Sequence, residues 1–332
     1  MSAEPFTRVL TADAAAIKTA TQCLAAGGLV AFPTETVYGL GADATNGQAI
    51  ARLYAAKGRP SFNPLIAHVN DTAAARRLAY FDAAAEQLAA AFWPGPLTLV
   101  LPKIRGCLVA DLATAGLDSI AVRIPNHPIA HKLIAAFGKP VVAPSANRSG
   151  HLSPTTAAHV LADLRGRIDL VVDGGPTQVG VESTIIACLD ESMLLRPGGL
   201  AREEIEKLLG RPLADSPYPG MAEEGEAPLA PGMLASHYAP KARLRLDAKS
   251  IDAGEALLAF GPVLASGAEH AAAMLNLSSR GDLVEGAANL FSHLRTLDAS
   301  GAEAIAVMPV PREGLGEAIN DRLRRAAAPR PQ

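Results

Sequence analysis

Cysteine, aromatic residues and net charge are all scarce in this chain, and each scarcity excludes a class of protein. Cys23, Cys107 and Cys188 are the only cysteines in 332 residues, far apart and without CxxC or Cys/His metal spacing. That excludes a disulfide framework and a zinc module, and it predicts buried, reduced thiols. Aromatic residues make up 4% of the chain, with one tryptophan, so no interleaved platform for stacking bases is present. The 30 lysines and arginines stand against 33 acidic residues, a net charge of -3. With no basic tract, no overall field recruits nucleic acid or an anionic membrane, and any anion must be met by a local pocket. Every apolar run is far shorter than the roughly 20 residues a membrane span needs. The opening MSAEPFTRVLTAD has neither the basic start nor the apolar stretch of a signal peptide. An untargeted cytoplasmic protein is expected. No G-x-x-x-x-G-K-[ST] and no G-x-[SC]-x-G occurs, so a triphosphate would be held without a P-loop, and covalent hydrolase chemistry has no support.

What is present suits a large soluble α/β protein, 49% apolar. One composition break occurs, between Gly210 and Ala235, where GRPLADSPYPGMAEEGEAPLAPGMLA is dense in Pro, Gly and Glu without hydrophobic period. It divides the chain into residues 1–208, a linker at 209–239 and residues 240–332. Before it, helical patterns over Ala12–Ala26, Gln48–Ala56, Ala73–Phe92 and Thr155–Leu164 alternate with the β-rich runs LVAF, LIAHV, LTLVL, IAVRIP, PVVAP, IDLVVD and STIIACL. These predict an α/β domain with one large mixed sheet. After it, ARLRL, ALLAF, AAMLNL and AIAVM alternate with helical patterns over Leu283–Leu297 and Glu317–Ala327, predicting a smaller, doubly wound, Rossmann-like α/β unit.

Two motifs mislead. Gly39-Leu-Gly41-Ala-Asp-Ala44 fits GxGxxA but lacks the acidic residue about 20 positions on that a dinucleotide ribose requires. His127 and His131 have zinc-helix spacing, but HPIAH lacks the glutamate, and Pro128 marks the first turn of a helix. No metal site is read there.

Polar residues gather instead at the ends of apolar strands, where open α/β sheets bind ligands. In LVAFPTETVYGLGAD, Thr34, Glu35 and Thr36 follow the strand, and Tyr38 and two glycines follow them, as either a small-ligand wall or a structural glycine turn. In AAKGRPSFNPLIAHV, Lys57 and Arg59 fit either cations that complement a helix C-terminus or an anion site. PVVAPSANRSGHLSPT runs from a strand into Ser145, Asn147, Arg148, Ser149 and Ser153, the hydroxyls and amide of an anion cradle. Arg123, amid β-branched residues in IAVRIP, needs a carboxylate from the protein or from a substrate. Glu182 and Ser183 open one strand and Arg196 closes another.

The ordered blocks FPTETVYGLG, KGRPSFNPL, WPGPLTLVL, VRIPNHP, APSANRSG, GVESTI and LRPGG resemble the YrdC/Sua5 family. The tail after SHYAPKA is similar to the extra C-terminal domain of the long Sua5 type. The resemblance spans roughly residues 8 to 200 and 240 to 325. It implies a YrdC-like catalytic domain that makes L-threonylcarbamoyladenylate from L-threonine, bicarbonate or CO2, and ATP, releasing pyrophosphate. It also implies Mg2+ with the ATP, no organic cofactor, and a product passed to a tRNA threonylcarbamoyl-transferase complex that modifies the adenosine beside the anticodon. A monomer or weak dimer is expected, with weak direct tRNA binding at most and no membrane partner.

By the same resemblance Lys57, Arg59, Ser145 and Asn147 hold the ATP phosphates and act catalytically. Thr36, His68, Arg123 and Ser183 fall on threonine-contact positions. Asn63, Ser119, Ala143, Ser153, Arg196 and Tyr238 fall on nucleotide-contact positions, with Ser119 standing where the family pattern has threonine. The Tyr238 position implies that the linker closes over the site. Two other readings remain: a double-stranded RNA-binding module, disfavoured by the charge balance, and a carbamoyl-transfer enzyme with a YrdC-like domain, disfavoured by the missing zinc-finger cysteines.

Overall fold

In the computed structural model, residues 6–215 and 238–328 are described. Most of the sequence-derived linker, 216–237, lies outside them. Strand β1 (Arg8–Thr11) leads into α1 (Ala14–Ala25), where Asp13 accepts from the Ala16 amide at 2.7 Å and starts the helix. The hairpin β2 (Val30–Pro33) and β3 (Tyr38–Asp43) precedes α2 (Gly47–Lys57), capped by Asn46 and ended by Gly58 in the left-handed region. Then come β4 (Ile66–His68), α3 (Thr72–Arg76), α4 (Ala83–Phe92), β5 (Leu97–Pro102), α5 (Asp111–Thr114), β6 (Ser119–Arg123) and α6 (Pro128–Phe137). The first unit closes with β7 (Val141–Val142), α7 (Ala157–Leu164), β8 (Leu170–Asp173), β9 (Thr184–Cys188), β10 (Ser192–Arg196), α8 (Arg202–Leu209) and β11 (Ala214–Asp215).

These strands form the expected large mixed sheet, of 11 strands in the order β1-β8-β2-β3-β7-β4-β6-β5-β9-β10-β11. Strands β4 and β6 run parallel with His68 beside Arg123, and β3 and β4 both pair antiparallel with β7. The loops after β4 and β6 open at the same end, whereas the loop after the antiparallel β7 starts beside the beginning of β4, where the Ala143 amide donates to the Ile66 carbonyl at 3.2 Å.

Three local expectations are corrected. The Tyr38–Gly41 stretch is strand rather than glycine loop. Its glycines make room: a Cβ on Gly41 would lie 2.7 Å from the Phe32 ring, and one on Gly39 3.1 Å from the Ala143 Cβ. The helical pattern over Ala73–Phe92 is two helices, because the Asp82 carboxylate accepts from the Ala85 amide at 2.7 Å and restarts the chain. Strand β1 and helix α8 lie outside the segments recognised in the sequence, and β11 carries the first sheet seven residues past position 208.

The second unit comprises β12 (Arg243–Arg245), β13 (Ala256–Ala259), β14 (Met274–Asn276), α9 (Leu283–Asp298), β15 (Ala304–Val307) and α10 (Leu315–Ala327). Its four strands are parallel, in the order β12-β15-β13-β14, as in the smaller doubly wound unit expected. The two units share a buried cluster: Val37, Leu152 and Val181 of the first pack with Phe291 and Leu294 of the second, and with Tyr238 between them in sequence. Gly180, at φ 78°, sits so close to α9 that a Cβ would lie 2.3 Å from the Ala287 carbonyl oxygen. Cross-unit ion pairs join Asp163 to Arg295 at 3.0 Å, Arg202 to Glu317 at 2.8 Å and Glu182 to Arg322 at 2.8 Å.

Candidate active site

Lys57 is the last residue of α2, and the left-handed turn at Gly58 aims its side chain inward, leaving it 2% exposed. Its ammonium donates to the carbonyls of Ser145, at 2.5 Å, and Asn147, tying the helix end to the loop after β7. Burial, and then the charge of Arg59, push its pKa well below the ordinary lysine value. Arg59 is also buried; it donates to the carbonyls of Pro64 at 3.0 Å and Asn63 at 3.4 Å, and burial brings its pKa down to about 10. The Asn147 amide nitrogen donates at 2.8 Å to the carbonyls of Arg148 and His151. Its Oδ1, like that of Asn63, is buried without a hydrogen-bond partner among the described residues. Orphaned acceptors of this kind ask for a donor.

Arg123 meets Glu35 at 2.7 Å, both side chains being buried. The contact is an ion pair rather than an aligned hydrogen bond, since the Arg123 Nη2 and both Glu35 oxygens lack a partner of hydrogen-bond geometry. The arginine's Nε donates to the Gly95 carbonyl at 3.2 Å. The carboxylate required by Arg123 is thus present within the protein. His68 lies one strand away, its Nδ1 3.2 Å from the Ile66 carbonyl. Burial, and then the charge of Arg123, lower its pKa to about 3, so the ring is neutral at pH 7 and a weak base. Ser183 Oγ is 2.8 Å from Thr98 Oγ1, and Thr36 Oγ1 is 2.8 Å from Thr34 Oγ1. Arg196 donates to the Ser183 carbonyl at 2.9 Å.

His68 makes the protein acid-sensitive in a defined window. Its unfolded-state value is 6.5 and its folded value about 3, so below pH 6.5 the unfolded chain binds a proton that the native chain refuses. Stability is complete above pH 6.5 and drains away as the pH falls toward 3. Between pH 7 and 5 the loss due to His68 is about 2 kcal/mol. Urea melts at the two pH values should show this much less pH dependence in His68→Asn than in the wild type. An unchanged pH dependence would contradict the buried neutral ring.

Thr36, Arg59, His68, Arg123, Ser183 and Arg196 line a common cavity. Ala143, Ser145 and Tyr238 also line it, together with Glu182. Lys57 and Asn147 stand behind Ser145, which Lys57 holds. Asn63 and Ser153 are buried outside the lining. Ser119 opens β6 and lies, at ~3.3 Å per residue, about 13 Å along the strand from Arg123. The cavity is narrow, about 40 Å³, against roughly 300 Å³ or more for a drug-sized ligand. Tyr238 forms part of its wall: 1% exposed, at φ 62°, it lies 5.5 Å from the Phe291 ring.

Glu35, Glu182 and Arg322 belong to this centre although the sequence reading did not count them among the site residues. Ser153 donates to Glu182 Oε1, and Arg322 Nε donates to Oε2 at 2.8 Å. Burial alone would raise the Glu182 pKa, but Arg322, Arg196 and these hydrogen bonds outweigh it and leave it at about 2. Adjacency to Thr36 and Ser183 was the available signal for the two glutamates. NDRLRR offered none, because basic residues at a helix C-terminus are ordinary. Among the described residues no group of three His, Cys, Asp or Glu side chains could hold a metal ion, and His127 instead caps α6. No helix among them is long and apolar enough to cross a membrane.

Nearly the whole chain is similar to known proteins. Residues 22–198 match the family model Sua5_yciO_yrdC, described as telomere recombination, and residues 200–328 match the model described as threonylcarbamoyl-AMP synthase, C-terminal domain. Threonylcarbamoyl-AMP synthase of Bacillus subtilis is 42% identical, over 91% of this chain and 90% of the relative. The protein of the same name from Pyrococcus abyssi is 44% identical, over 91% of each. The crystal structure of P. abyssi Sua5 complexed with L-threonine superposes with a TM-score of 0.86 at 40% identity, covering 97% of both chains. The chain therefore belongs to the Sua5/YciO/YrdC family, in the long form that carries the Sua5 C-terminal domain.

Proposed function

We propose that the protein joins L-threonine, CO2 or bicarbonate, and ATP into L-threonylcarbamoyladenylate and pyrophosphate. The product supplies the threonylcarbamoyl group for the adenosine beside the anticodon of tRNA, through a transferase complex in the cytoplasm. The observation that carries this reading is one narrow cavity lined by Arg59, Arg123 and Arg196 together with Thr36, His68 and Ser183. Three cations converging on these polar groups suit two anionic substrates that must lie against each other.

In this reading Arg123, His68, Thr36 and Ser183 hold threonine, and the surrounding cations favour the neutral form of its amine. The free amine adds to CO2, forming the C–N bond and losing a proton. A carbamate oxygen then attacks the α-phosphorus as the bond to pyrophosphate breaks. Nothing in this sequence needs a covalent enzyme intermediate, and His68 is too weak a base to drive it at neutral pH. Arg59 and Lys57 offset charge on the leaving pyrophosphate, with Ser145 and Asn147 shaping the loop around it. Asn63, Ser119, Ala143, Ser153, Arg196 and Tyr238 hold the nucleoside portion.

Mg2+ enters as part of the substrate MgATP. Glu182 in the lining and Glu35 beside Arg123 are each committed to an arginine, so an ion would have to take its ligands from phosphate and water. The orphaned Oδ1 of Asn147 suits a donor such as a metal-bound water. The cavity with Tyr238 in its wall is narrower than ATP, so nucleotide entry calls for that residue to move; the lid read from the linker falls on residues outside those described.

The test is to incubate the protein with threonine, bicarbonate and ATP and look for threonylcarbamoyl-AMP by mass spectrometry. Pyrophosphate release should require both threonine and bicarbonate. Release that is independent of threonine would sink the reading.

A further inference from the structure

We propose that Arg322 is a positioning residue for the active site: from the C-terminal unit it fixes the Glu182 carboxylate, and through it Ser153, away from Arg196. The proposal rests on the synthase reading above and gives the second unit a direct task in the reaction.

Arg322 projects from α10 into the first unit and is wholly buried. It donates to Glu182 at 2.8 Å and to the Pro197 carbonyl at 3.0 Å, and its guanidinium carbon is 5.3 Å from the centre of the Tyr238 ring. One side chain therefore touches the residue before Ser183, the residue after Arg196, and the tyrosine in the cavity wall. Asp321 shares its carboxylate between Arg322, at 2.6 Å, and Arg325, at 3.1 Å, and so holds the arginine in this orientation from its own helix.

Adhesion between the units does not account for such a pair. A buried ion pair adds little net stability over apolar packing of the same volume, and the interface already has the apolar cluster around Phe291 and Leu294. What the pair does determine is direction. Glu182 and Arg196 both line the cavity, and their charges act on each other. With Arg322 present, one Glu182 oxygen is taken by Arg322 and the other by Ser153. Without it, the other cation whose charge acts on the carboxylate is Arg196, and a Glu182–Arg196 pair would neutralise a cation proposed for the nucleotide and release Ser153.

The experiment compares the wild-type full-length protein with Arg322→Met, Arg322→Lys, Glu182→Gln and the Glu182→Gln/Arg322→Met double variant. It measures KM for ATP and for threonine, kcat, ATP affinity by calorimetry, and thermal midpoint. Arg322→Met should raise the KM and Kd for ATP about tenfold or more while the threonine KM moves less than about threefold. Arg322→Lys should recover part of the loss, since an ammonium reaches one partner but lacks the planar fork that serves two. The double variant should bind ATP better than Arg322→Met, because an uncharged amide in place of the Glu182 carboxylate cannot capture Arg196.

A fall in kcat and thermal midpoint with the ATP constants unchanged would mean that Arg322 is structural only and would overturn the proposal. So would a double variant that binds ATP no better than Arg322→Met. A wild-type protein that binds ATP but makes no threonylcarbamoyl-AMP would overturn the synthase reading alone, leaving the calorimetric comparison to decide the role of Arg322.

Discussion

Lys57→Ala should lower threonine-dependent pyrophosphate release by about 10²- to 10³-fold, the scale of removing one preorganised charge-stabilising donor. Two effects combine. The variant lacks the cation proposed to lie beside the departing pyrophosphate, and it frees the carbonyls of Ser145 and Asn147 that the ammonium ties to the end of α2. Steady-state kinetics should show kcat falling further than KM for ATP rises, because stabilisation of the leaving group is realised mainly in the transition state. Lys57→Arg separates the effects: it restores charge, but a guanidinium cannot occupy the same buried space between two carbonyls. It should remain well below wild type. Full activity in Lys57→Ala would remove this residue from the machinery altogether.

Arg123→Met should be the most destabilising single change at the site and should also abolish product formation. It leaves Glu35 as a buried carboxylate without its counter-charge, a defect worth about 3–5 kcal/mol. The same change takes away the cation proposed to receive the threonine carboxylate. A double variant distinguishes the two consequences. Glu35→Gln/Arg123→Met removes both charges and should recover most of the lost stability in urea unfolding, while threonine-dependent turnover stays absent. If the double variant regains turnover, Arg123 serves the fold and not the substrate. If Arg123→Met is as stable as wild type, the pair at 2.7 Å is not the buried ion pair described.

How far the chain could be read in advance differs between levels. The alternation of apolar runs with helical periods specified an α/β protein with a mixed sheet and a smaller parallel unit, because side-chain period is a local property of each segment. Caps were legible for the same reason; Pro128 opens α6 as its position suggested. Misreadings arose where a distant neighbour decides. Tyr38–Gly41 looks like a loop because glycine is a poor strand former, yet a Cβ at Gly41 would collide with the Phe32 ring and one at Gly39 would crowd Ala143.

The site shows the same division. Arg123 advertised its need for a carboxylate, since a lone charge among β-branched residues is costly to bury. The sequence by itself determined which residue types had to find partners, which cations and hydroxyls end the strands, and, through seven ordered blocks, the family. Only the tertiary structure decided that Glu35 is the partner of Arg123, that Lys57 is spent partly on two backbone carbonyls, and that Arg322, 140 residues from Glu182, reaches across to hold it. The reason is physical. Helix and strand periods, caps and turns are settled within a few residues, whereas a buried ion pair exists only after two remote surfaces have packed and excluded water, and nothing in the local sequence records which surface that will be.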